Sequence, residues 1–87
     1  MILIKLSEEK SSRRARRWCV DNFGKIPLKP ISEFDRKTQM AIMIKGNFYG
    51  KHVYDSSNAR WLHRMRNPYN FYFKNEEDAI AFKIMWA

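Results

Sequence analysis

Apolar residues open the chain as a tight cluster, Met1-Ile-Leu-Ile-Lys-Leu6, and this aliphatic run predicts a strand over residues 1–6. The spacing then lengthens. Ser7 is placed to cap a helix, with Glu8 and Glu9 in its first turn, where carboxylates suit the positive end of the helix dipole. Ala15, Trp18, Cys19 and Phe23 recur at helical intervals and Gly24 supplies a left-handed stop, so the pattern predicts a helix running to Phe23.

Residues 25–37 carry Pro27 and Pro30 with little periodicity and read as an extended connection. The run from Thr38 to Lys45 is almost continuously apolar and predicts a second, centrally placed strand. Gly46-Asn47 and Gly50 mark turns around Phe48 and Tyr49, with a short further strand through Val53-Tyr54. Asp55, Ser56 and Ser57 offer caps for a short helix over residues 58–66, whose apolar side would carry Trp61, Leu62 and Met65. Asn67-Pro68 closes that helix, because the residue before a proline disfavours helical angles. Tyr69 to Lys74 then predicts an aromatic strand. Asn75, with Glu76, Glu77 and Asp78 behind it, opens a last helix whose apolar face holds Ala79, Phe82, Met85 and Trp86, widened by Ile80 and Ile84.

The order strand, helix, strand, short helix, strand, helix predicts an α+β fold. It is a ferredoxin-like βαβ(α)βα sandwich lacking the last strand, a small sheet with its helices on one face. At 87 residues the expectation is a single domain, 1–87.

Composition sharpens this in one direction. Hydrophobic residues make up 45% of the chain, which is enough to support a core and argues against disorder. There are 17 Lys and Arg against 9 Asp and Glu, a net charge of +8, so the chain attracts polyanions and acidic surfaces. Cys19 is the only cysteine, which excludes an internal disulfide. The short apolar start is followed at once by Lys5, and no run approaches the ~18 apolar residues of a membrane span. The expectation is a cytoplasmic protein without a membrane partner.

The cations have a pattern. Lys10, Arg13, Arg14 and Arg17 recur at i, i+3, i+4 and i+7 and share the helix face opposite Ala15 and Trp18, with Arg16 beside them and, on this reading, no acid at i+4 to relieve them. The planar guanidinium suits bidentate contact with phosphate or carboxylate. Arg60, His63, Arg64 and Arg66 form a second basic group, Lys51 and His52 precede it, and Tyr49 or Phe48 beside these cations is placed to stack on a base. Catalysis has little to work with. Cys19 lies on the apolar helix face, His52 and His63 match no zinc spacing, and the carboxylates sit mainly at helix starts where capping accounts for them. The expectation is therefore a non-enzymatic protein with no metal and no cofactor. It contacts DNA or RNA phosphates through the arginine-rich helix or, alternatively, docks its basic face on an acidic protein surface. The wide apolar last helix leaves homo-oligomerisation open.

Two resemblances bear on this. Phe73-Lys-Asn-Glu-Glu-Asp-Ala79 resembles the junction between the third strand and second helix of RNA-recognition-motif domains. The resemblance implies a sheet backed by helices. The family's base-stacking positions fall on Asn70 and Pro68, neither of which supplies a stacking aromatic ring, and Asn67 stands where the family has a glycine. More broadly, a basic helix ending Trp-Cys-Val-Asp-Asn-Phe-Gly24 and a terminal strand, acidic turn and Phe82-Lys-Ile-Met-Trp86 helix look like small accessory proteins of tailed bacteriophages. That likeness implies a modulator or inhibitor acting on a host protein or defence complex in the host cytoplasm.

Overall fold

The computed structural model describes residues 1–45, 48, 50–64 and 66–87. They form a small α+β protein in two compact units, Met1–Ile26 with Arg60–Ala87, and Pro27–Ala59.

The first unit is built on a three-stranded antiparallel sheet. Strand β1 (Ile2–Lys5) lies on one side of β5 (Asn70–Phe73), and β4 (Trp61–His63) lies on the other. Register places Ile2 and Trp61 opposite Phe73, and Ile4 and His63 opposite Phe71. These residues therefore share one face, and two helices pack on it. Helix α1 (Ser12–Phe23) contributes Ala15 and Cys19, and α3 (Glu76–Trp86) contributes Ala79 and Phe82, all buried. The Phe82 ring sits 4.7 Å from Phe71, 5.0 Å from Phe73 and 6.1 Å from Trp18, so one aromatic side chain joins both helices to the sheet. Truncating such a ring to alanine costs about 3–5 kcal/mol.

Helix α1 begins later than its sequence predicts. Ser11, not Ser7, is the N-cap, accepting from the Arg14 amide at 3.3 Å, and no acid lies in the first turn. Ser7 instead closes a separate turn, accepting at its carbonyl from the Lys10 amide. Lys10 therefore precedes the helix. The stop at Gly24 is as expected: its φ of 86° lies where a Cβ is disfavoured, and its carbonyl accepts the Trp61 indole N–H at 2.7 Å.

Strand β4 stands where the pattern predicts a helix. Backbone pairing with β5 buries Trp61, Leu62 and His63 in succession, which no helix face could do. The expected Asn75 cap position holds for α3, although the side chain makes no cap hydrogen bond.

The second unit contains β2 (Leu28–Pro30), a 3-10 turn (Ile31–Glu33), α2 (Arg36–Lys45) and β3 (His52–Tyr54). The two strands pair antiparallel, Leu28 with Tyr54 and Pro30 with His52. Helix α2 replaces the expected central strand. Asp35 caps it, its Oδ1 accepting from the Thr38 amide at 2.7 Å and its carbonyl accepting from the Gln39 amide at 2.9 Å. Met40, Met43 and Ile44 are exposed, so this apolar run is not a covered sheet centre. The fold is α+β, with two small antiparallel sheets where the sequence pattern leads one to expect a single sheet.

Candidate polyanion-binding site

Helical periodicity divides the four arginines of residues 13–17 by fate, and Lys10 lies in the turn before the helix. Arg13, Arg14 and Arg17 are exposed on the outward side of α1, with no ion pair to Arg13 or Arg14 among the described residues. Arg17 does have an acid four residues on: its Nε lies 3.6 Å from Asp21 Oδ1, correcting the expectation of an unrelieved stripe. Both side chains are largely exposed, and such a pair contributes only about 0.3–0.5 kcal/mol, so Arg17 can exchange it for a stronger acceptor.

Arg16 turns inward. Its Nη1 donates to His63 Nδ1 at 2.8 Å and to the His63 carbonyl at 3.0 Å, and its guanidinium lies 5.6 Å from the Trp61 ring centre. This fixes the tautomer of His63. An arginine only donates, so Nδ1 is the acceptor and Nε2 carries the proton, which it gives to the Pro68 carbonyl at 2.8 Å. Burial, with Arg16 beside it, holds the His63 pKa below the usual histidine value. His63 is therefore a neutral core residue, stacked at 4.2 Å on Phe71, and not the surface cation its sequence suggests.

Arg60 is likewise committed within its own unit. Nε and Nη2 donate to Asp78 Oδ2 and Oδ1 at 2.6 and 2.9 Å, and the guanidinium covers the Phe23 ring at 4.9 Å. The same bidentate contact is the main reason that the Asp78 carboxyl lies below its ordinary pKa; burial opposes it, and charge attraction to Arg60 adds a smaller lowering. Arg64 is exposed on the sheet face away from the helices, and Arg66 is exposed in the following turn but engaged in contacts of its own. The expected 60–66 patch is thus dispersed, and of its members His63, as a neutral ring, meets the α1 arginines.

What remains is a groove of about 400 Å3 lined by Ser12, Arg13, Arg16, Arg17, Val20 and His63. Arg16 and His63 form its fixed wall, and Arg13 and Arg17 rim it. Sequence reasoning missed this wall, because the contact joins residues 47 apart and no local spacing reports it. Lys51 is exposed in the second unit beside His52 and Gly50, in a separate groove of about 400 Å3. Tyr49 lies outside the described residues. Phe48 is 37% exposed.

Cys19 is fully buried, and desolvation pushes its thiol up to about 12, which suppresses the reactive thiolate. Among the described residues no three His, Cys, Asp or Glu side chains come together as a metal site would require, and no helix is long and apolar enough to cross a membrane. No protein family, curated protein or solved structure matches this chain.

Proposed function

We propose that this protein binds the phosphate backbone of nucleic acid through the outer face of α1. The observation that carries the reading is that Arg13 and Arg14 are exposed without an ion pair among the described residues, while Arg16 beside them is locked against His63. Cations that serve the fold in this unit sit against aromatic rings and acceptors; these two do neither. Arg17, weakly paired with Asp21, shares the exposed side of the helix, and the exposed Lys10 lies in the turn that precedes it. A guanidinium rim of this kind grips phosphate oxygens without reading base edges, so affinity is largely independent of sequence.

The test is a salt titration followed by fluorescence anisotropy. With Lys10, Arg13, Arg14 and Arg17 in contact, the log–log slope of affinity on salt is about −3.6 for duplex DNA and about −2.8 for a single strand. No binding at low salt would overturn the reading, leaving an acidic protein surface as the destination of the same cations.

A further inference from the structure

Strand β4 divides two grooves. His63 turns its ring to the helix side and lines the α1 groove, whereas Leu62 and Arg64, on either side of it in sequence, line a second hollow of about 230 Å3 with Met1, Asn67, Asn70 and Tyr72. This is the period-2 alternation of a strand at the edge of its sheet. Both helices of the unit lie on the other face.

Register orders the face away from α1 and α3 into two rows. Leu3, Tyr72 and Leu62 stand opposite one another across β1, β5 and β4 and form an apolar row. Two residues along, about 7 Å away, Lys5 pairs with Asn70 and Arg64 continues from β4, forming a polar and cationic row. Among the described residues no carboxylate lines the hollow. The half-buried Tyr72 ring offers a flat stacking surface, and the amides of Asn67 and Asn70 offer both donors and acceptors to the edge of a base. Arg64 is suited to a phosphate. An acidic protein surface would engage the cations but not the ring and amides. An apolar segment laid here would bury Arg64 without a counter-charge.

We infer that this sheet face binds a nucleobase and its phosphate, the base against Tyr72 and the phosphate at Arg64, and that the protein therefore takes single-stranded nucleic acid, which passes around the β4 edge to the cations of α1. The inference rests on the phosphate-binding reading of α1 and narrows it. A duplex keeps its base faces inside the stack and is stiff over about 150 base pairs, so it cannot turn around one strand's edge. A single strand can do both.

The experiment compares three probes of equal length in anisotropy titrations at one low salt concentration: a labelled oligothymidylate, its abasic counterpart and a duplex. The oligothymidylate binds about 5- to 150-fold more tightly than the abasic strand, and Tyr72→Leu removes that difference without changing affinity for the abasic strand or the duplex. Tyr72→Phe, which keeps the ring, retains the difference. Equal binding of thymidylate and abasic strands, or a difference that survives Tyr72→Leu, overturns the inference. Arg13→Gln/Arg14→Gln separates the two readings: if it leaves every affinity unchanged, the α1 reading fails, while a base-dependent difference abolished by Tyr72→Leu still supports the sheet-face site. If no probe binds, both fall. Should Tyr72→Leu fail to fold, amide NMR of the unaltered protein with thymidine monophosphate reads the same site. Shifts at Arg64, Asn70 and Tyr72 support it, and shifts confined to α1 overturn it.

Discussion

The arginines of α1 and those of residues 60–66 look alike in the sequence and differ in what the fold does with them. In the first group Arg13 and Arg14 reach solvent without an ion pair among the described residues, and one member, Arg16, is committed inward. In the second, Arg60 closes on Asp78, His63 is a neutral core residue, and Arg64 leaves for the opposite face of the sheet. A helix of 3.6 residues per turn keeps like residues together on one side, whereas a strand sends successive residues to opposite faces. Charge in a sequence becomes available charge only after that geometry is applied.

The largest effect that sharpens the contrast is expected from Arg16→Ala. It strips two acceptors on buried His63 of their donor and removes the cation from Trp61, for a loss of about 2–4 kcal/mol. Thermal unfolding should fall by roughly 10 °C or more. An unchanged melting temperature would place Arg16 with the solvent-facing group instead.

Asp78→Ala comes next. It leaves Arg60 above Phe23 without its bidentate acceptor, and the protein melts lower, by less than for Arg16→Ala because Arg60 is half exposed. The ion pair also sets an acid limit. The native Asp78 carboxyl has a pKa below the ordinary carboxyl value of 3.8, so its contribution is fully present above that value and is lost as pH falls through the depressed native pKa. Acid unfolding of the Asp78→Ala variant should lack this component.

His63 acts at milder pH with a related sign. Its native pKa lies below 6.5, so the unfolded chain takes up a proton that the native state resists. Stability is complete above about pH 6.5 and declines below it, levelling off once pH passes the native value. Melting curves between pH 7.5 and pH 5 should show the decline, and a flat profile would mean that the ring is not held neutral.

The smallest stability effect belongs to Arg13→Gln/Arg14→Gln, expected within about 0.5 kcal/mol of the unaltered protein. Its salt slope on nucleic acid, by contrast, should flatten by about 1.4–1.8. A variant that melts much lower would show that these two arginines also serve the fold.

Residues that depend on near neighbours were legible in the sequence. Gly24 ends α1 as its position implies, β1 and β5 fall inside their expected runs, and α3 starts after Asn75. The outward placement of Arg13, Arg14 and Arg17 follows from helical periodicity alone. The two inverted elements have separate causes. The apolar run at Met40–Ile44 has no period that distinguishes strand from buried helix, and the Asp35 cap, with methionine and alanine behind it, decides for helix. Trp61, Leu62 and Met65 mimic helical spacing, but pairing of residues 61–63 with 71–73 overrides it. The commitments of Arg16 and Arg60 rest on partners 47 and 18 residues away, which no window along the chain contains.

The Arg16–His63 contact has a mechanical consequence. A short helix lying on a sheet is free to roll about its own axis unless something indexes it, and two hydrogen bonds from one guanidinium to the ring and carbonyl of a single strand residue do so. The inner arginine thereby sets the bearing of the outer ones. A substitution at His63 that kept every charge in the protein would still re-aim the cationic rim, much as loosening a key lets a wheel turn on its shaft.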